Sequence, residues 1–128
     1  VLESVCFEQK ISLDIFEQYG FTIREIRAVG GEAKSAKWLK IRADILGKSI
    51  KTLQVPEASC LGAAILSGYA LGYYPSIDEA AHEMVKVKSE IEPDEDLYKR
   101  YLRKYHIFKK IYPALKKINR ELSEISSL

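Results

Sequence analysis

The sequence predicts an α/β fold that is mostly helical, with two short parallel strands and a long C-terminal helix. Three observations predict it. Two runs rich in β-branched residues, "TIREIRAV" and "SIKTLQV", flank one amphipathic run. Nearly all the remaining chain repeats its apolar residues at three- and four-residue steps. A strand–helix–strand order demands a right-handed crossover and places the two strands parallel and adjacent.

Residues 1–19 read as a helix with Leu2, Val5, Cys6 and Leu13 in phase, stopped by Gly20 in the left-handed position after its end. "TIREIRAV" is the first strand and ends at Gly30-Gly31. Ser35 then caps a helix carrying Trp38, Leu39, Ile41, Ile45 and Leu46, which Gly47 closes. After "SIKTLQV", Pro56 and Glu57 open a third helix, because proline suits the first helical position and an acid suits the first turn. That helix, roughly 57–72, is crowded with Ala58, Ser59, Gly62, Ala63, Ala64, Ser67, Gly68 and Ala70. A glycine inside a helix costs about 1 kcal/mol relative to alanine, so the small residues predict close packing on a sheet or another helix. "SIDEAAHEMV" is a short helix with Ser76 as cap and Glu79 three residues on. "EIEPDEDL" reads as a polar turn. From Asp94 to about Ser126 a helical pattern follows Leu97, Tyr101, Tyr105, Phe108, Tyr112, Leu115, Leu122 and Ile125, with Pro113 breaking it near Tyr112. Two strands do not make an independent parallel sheet, so further strands are expected from sequence outside this chain. The opening "VLESVCFEQK", without Met and already in helical phase, reads as part of something longer.

The totals exclude several classes. In 128 residues, 47% apolar and 30% charged, a globular domain with a real core is expected rather than a disordered one. Twenty basic against eighteen acidic residues leave a net charge of +2, too small to imply a polyanionic partner. The longest nearly uncharged stretch, "ASCLGAAILSGYALGYYPSI", is broken by Gly and Ser, and its apolar part is shorter than the roughly 20 residues a membrane span needs. Cys6 and Cys60 are too few for a disulfide scaffold, so a reducing, cytoplasmic setting is expected.

Candidate chemistry is sparse. The Gly30-Gly31 turn matches neither G-x-G-x-x-G nor a phosphate-binding P-loop. Taken by itself it fits an ordinary tight strand-to-helix connection better than the other reading, a turn whose amides face a nucleotide beside a helix N-terminus. His82 and His106 stand apart without a ligand set, and zinc needs three or four. Asp78-Glu79 and Asp94-Glu95-Asp96 sit at helix starts, where capping explains them. The basic residues from Lys99 to Arg120 alternate with tyrosines, but the tyrosines share the apolar face, so a solvated charged face is expected rather than a nucleic-acid site.

Two consecutive motifs carry a resemblance. "AVGGEAKSAKWLKIRADILG" followed by "QVPEASCLGAAILSGYALGYYPSIDEAAHEMV" closely resembles the C-terminal domain of the FGGY carbohydrate kinases. The resemblance implies residues 1–128 to be the last part of an actin-like (ribonuclease H-like) ATPase domain, without its upstream strands and the N-terminal domain. It implies an enzyme that phosphorylates a sugar or polyol with ATP and Mg2+, the metal held mainly outside this chain. The family's Gly-Gly-Gly-Ala-Lys-Ser adenosine motif falls on Gly30, Gly31, Glu32, Ala33, Lys34 and Ser35. Ser35 matches a position that can contact the base. Glu32 departs from the third glycine: it would be strained if that position needs positive φ, and is expected to accept hydrogen bonds from ribose hydroxyls. Glu57 and Gly62 are implied as support, at a helix start and a packing contact between nucleotide site and hinge. Glu3 matches the acid of the family's second signature, and "IYPALKKI" resembles the xylulokinase-type branch.

No catalytic residue is implied within the chain, because the family's Asp base, sugar-binding residues and phosphate loops lie upstream, and the chain alone is expected to be inert. The expected partner is a sugar or polyol bound through the N-terminal domain, with no nucleic acid and no membrane. Apolar surface left open by missing strands favours self-association, so a homodimer is an expectation. The competing reading is a small non-enzymatic interaction module whose basic C-terminal helix contacts a protein or nucleic acid.

Overall fold

The computed structural model describes residues 2–125. Helix α1 (Leu2–Gln18) ends at Gly20, which adopts φ +88°, and the Phe21 amide bonds back to the Phe16 carbonyl at 3.1 Å. Strand β1 (Glu25–Ala28) leads into a 3-10 turn (Gly30–Lys34) and then α2 (Ala36–Leu46). Strand β2 (Ser49–Leu53) follows, then α3 (Ala58–Ala70) and α4 (Ile77–Met84). Strand β3 (Val87–Ile91), α5 (Glu95–Phe108) and α6 (Ile111–Ile125) complete the described chain. The predicted caps are in place. Ser35, Ser76 and Asp94 each accept a backbone N–H three residues on, from Trp38, Glu79 and Leu97.

The sheet differs from expectation. It has three strands in the order β1-β2-β3, with β1 and β2 parallel and β3 antiparallel to β2. The "VKVKSEIE" run does alternate, but β3 is largely exposed and its charged residues hide the pattern. A bulge at Thr52/Leu53 breaks the β2–β3 register beside a hydroxyl pair, Thr52 Oγ1 to Ser89 Oγ at 2.7 Å. The long C-terminal helix is also two helices, parted at Lys109-Lys110 rather than at Tyr112. A proline ring clashes with the carbonyl four residues before it, so Pro113 forbids continuity at Lys109 while sitting harmlessly in the first turn of α6. The expected helix end at Ser126 lies outside the described residues.

Helix α2 organises the core because it is apolar on two sides. Leu39 and Ala43 pack on Ala28 and Ile50 of the sheet. Ile45, with Trp38 and Ile41, packs on Cys6 and Phe7 of α1 and Tyr105 of α5. The buried Asp44 carboxylate accepts from Lys40 Nζ and from the Asp94 amide, both at 2.7 Å, and so ties α2 to the start of α5. The predicted close packing of α3 is met by α4, not by the sheet: Leu61 and Ile65 enclose Ala80, and the ring of Tyr74 lies against Gly68. Ala63, Ala64, Ser67 and Ala70 remain exposed, as does the stripe Ile111, Leu115, Ile118 on α6.

Gly47 adopts φ +65° after α2, and a Cβ there would lie 2.5 Å from Cε2 of Tyr98. Gly47→Ala adds left-handed strain of about 1–2 kcal/mol and a displaced ring costing about 1–3 kcal/mol. A urea unfolding curve should show about 2–5 kcal/mol lost, and a change below about 0.5 kcal/mol would refute the reading.

Candidate functional site

Strand β1 delivers the chain to Val29, still extended at φ −133°, ψ 165°. Gly30 then turns it, at φ +72°, and its N–H donates to the Pro56 carbonyl at 2.7 Å. Glycine is required here because the left-handed region is costly for a residue with a Cβ. Gly31, Glu32, Ala33 and Lys34 follow in the 3-10 turn, with the Ser35 N–H donating to the Glu32 carbonyl at 3.3 Å. Ala33 packs toward the α2–sheet core, which anchors the turn from below. Ser35 returns to an extended conformation, and its hydroxyl accepts the Trp38 N–H at 3.3 Å.

The structure brings the two motifs together. Besides the Gly30–Pro56 bond, Lys34 Nζ lies 3.5 Å from the Glu57 carboxylate. Both side chains are more than half exposed, so the pair contributes at most about 1 kcal/mol. Glu57 is the N-cap of α3 rather than its first-turn acid, and Pro56 precedes the helix. A Cβ on Gly62 would meet nothing within 4 Å of this chain, so no packing contact is made there. Glu3 pairs with Lys104 of α5 at 3.0 Å.

Glu32 carries no backbone strain, because no non-glycine among the described residues has positive φ. Its Oε2 accepts from Arg42 Nη1, across the turn on α2. The Arg42 side chain is 9% exposed and the Glu32 side chain 55%. Among the described residues no acceptor reaches the buried Nε of Arg42. Sequence reading missed this arginine. The available signal was a cation amid the apolar positions Leu39, Ala43, Ile45 and Leu46 of α2, ten residues after an unexpected acid.

A cleft of about 380 Å³ opens beside the turn, between Ala33, Lys34 and Pro56 on one side and Thr52, Lys88 and Ser89 on the other. Its lining is mixed, with Lys34, Lys88, Thr52 and Ser89 beside the apolar Leu39, Leu53 and Ile91. Lys88 and Ser89 come from β3, the strand that the sequence hid. Among the described residues no group of three or more His, Cys, Asp or Glu could hold a metal, and no helix is long and apolar enough to cross a membrane. His82 and His106 are exposed on separate helices. Several basic residues of α5 and α6 have acidic partners nearby, with Lys104–Glu3 at 3.0 Å, Arg120–Glu124 at 3.1 Å and Lys117–Glu121 at 4.0 Å.

Known proteins resemble the chain throughout. A xylulose kinase of Staphylococcus epidermidis is 32% identical over 127 residues, covering 99% of this chain and 26% of that protein. A xylulose kinase of Bacillus subtilis is 25% identical over 122 residues, covering 95% of this chain and 24% of its own length. The chain thus spans about a quarter of the length of the curated relatives it matches. The ligand-bound xylulose kinase from Lactobacillus acidophilus superposes with a TM-score of 0.81 at 22% identity, covering 91% of this chain and 24% of that one. The fold is therefore the actin-like one of these kinases, here mostly helical with a small mixed sheet. The model of the C-terminal domain of the FGGY family of carbohydrate kinases matches residues 1–71, and the chain belongs to that family.

Proposed function

We propose that the chain, residues 1–128, is the last part of the second domain of an ATP-dependent carbohydrate kinase and supplies the adenosine-facing wall of its active site. The observation that carries this reading is the Gly30 N–H to Pro56 carbonyl bond, which joins the turn to the start of α3. Gly30, Gly31, Glu32, Ala33, Lys34 and Ser35 form the wall, with the turn's backbone close enough for a nucleotide because Gly30 and Gly31 present no side chain. ATP, when bound, supplies the transferable phosphoryl group. Glu57 lies beside Lys34 as a weak, exposed partner, and Gly62 leaves α3 bare at its position for close approach of the rest of the enzyme. Mg2+ and the base that takes the acceptor hydroxyl's proton are assigned to the remainder of the protein, since phosphoryl transfer needs both. The acceptor is a sugar or polyol, with xylulose the first choice because the relatives named above are xylulose kinases. The two free thiols, Cys6 and Cys60, support a reducing, cytoplasmic setting.

The test is ADP release by the full-length protein with ATP, Mg2+ and a panel of pentuloses and polyols. Turnover with a pentulose is expected, and none with the isolated chain. Absence of ADP release with every acceptor, or phosphorylation by the isolated chain, contradicts the assignment.

A further inference from the structure

We propose that Arg42 is a positioning residue for nucleotide recognition, holding one oxygen of Glu32 so that the other is presented to the ribose hydroxyls. The proposal rests on Gly30–Ser35 being the adenosine wall. Arg42 is buried on α2, whose other buried residues are Leu39, Ala43, Asp44, Ile45 and Leu46, and a buried charge is costly unless it is paired. Its Nη1 donates to Glu32 Oε2, while its Nε finds no acceptor. The turn therefore satisfies one nitrogen of this guanidinium, Nη1, while Nε stays without an acceptor in the surrounding core. A planar guanidinium fixed in a packed helix gives its partner carboxylate one direction rather than many.

Glu32 is the complementary half. It is more than half exposed, and it meets Arg42 through Oε2, which leaves Oε1 outside that bond. A carboxylate only accepts hydrogen bonds, and ribose hydroxyls donate, whereas phosphate oxygens would be repelled. Tethering by Arg42 removes rotamer freedom before the ligand arrives, so less is lost on binding. The groups recognised are thus the 2′- and 3′-hydroxyls of a ribonucleotide.

The experiment uses the full-length protein and compares ATP with 2′-deoxy-ATP and 3′-deoxy-ATP at saturating sugar. Wild type, Glu32→Gln, Arg42→Met, Arg42→Lys and the double variant Glu32→Gln/Arg42→Met are assayed for KM, kcat and thermal midpoint. Wild type should prefer ATP over at least one deoxy analogue. Glu32→Gln and Arg42→Met should each lose about five- to tenfold of that preference through the KM for ATP, with kcat near wild type. The double variant should lose no more than either single one, and Arg42→Lys should recover part of the preference. Should Arg42→Met fail to fold, Arg42→Lys and Glu32→Gln carry the same comparison. An unchanged ATP-to-deoxy-ATP ratio in the single variants, or losses that add in the double, overturns the role of Arg42. A wild-type protein that neither binds ATP nor turns over overturns instead the kinase reading beneath it.

Discussion

Truncating Tyr105 to Ala is expected to destabilise the folded domain by about 3–5 kcal/mol, the range for removing a large buried aromatic. Tyr105 is 2% exposed and packs with Cys6, Phe7 and Ile45 where α1, α2 and α5 meet. Its ring lies 6.0 Å from that of Phe7, and Lys10 and Lys109 approach its faces at 5.4 and 4.7 Å. Loss of the ring opens a cavity that three helices cannot jointly close. Tyr105→Phe separates packing from polarity: it removes only the hydroxyl that donates to Asp14 Oδ2 at 2.5 Å, at about 1–2 kcal/mol. The same residue sets an alkaline limit. Burial, and then the Asp14 hydrogen bond, raise the Tyr105 phenol above its ordinary value. Burial likewise pushes the Cys6 thiol from 9.0 to about 11. Both groups are held protonated in the fold and ionise more readily when unfolded, so their contributions are intact below their unfolded values. Stability should therefore fall as pH rises from about 9 toward 11, where the unfolded chain loses protons first. Denaturant unfolding across that range, with Tyr105→Phe flattening the upper part of the decline, is the check. A Tyr105→Ala loss below about 1 kcal/mol would sink the packing account.

What the sequence disclosed follows from how far each signal reaches. Ser35, Ser76 and Asp94 cap helices through bonds spanning three residues, and Gly20 and Gly47 close helices by their own φ. Such devices are written locally and were legible. So was the turn, because Gly30 is where the left-handed conformation is needed. Strand β3 was not, since it pairs only with β2 and buries almost nothing, leaving charge to mask its alternation. The division of the C-terminal helix was foreseen from Pro113, but its place follows from the carbonyl before the ring, not from the ring itself. Arg42 was invisible because its partner lies ten residues back across a turn, on a helix whose periodicity suggested only core. The partner of α3 was equally hidden, since small residues announce a close approach without saying what approaches.

Gly30→Val is expected to raise the KM for ATP in the full-length protein by about 10- to 100-fold, corresponding to about 1.4–2.7 kcal/mol of lost binding, with the KM for the sugar little changed. The reasoning is conformational rather than steric. A Cβ on Gly30 would meet nothing within 4 Å, so no neighbour forbids a side chain. The φ of +72° forbids it instead, and a β-branched residue is the worst occupant of that region. Relief of the strain must rotate the peptide that donates to Pro56, and that motion carries Lys34 away from Glu57. Gly31 supplies the control. Its φ is not positive and a Cβ there also meets nothing within 4 Å, so Gly31→Ala should leave the fold undisturbed. Any loss of ATP affinity in Gly31→Ala, at an unchanged thermal midpoint, then reports contact between the new methyl and the nucleotide. The pair thus distinguishes a glycine kept for its backbone from one kept for the ligand's approach. Equal thermal losses in both variants with unaltered KM for ATP would assign the turn a purely structural role.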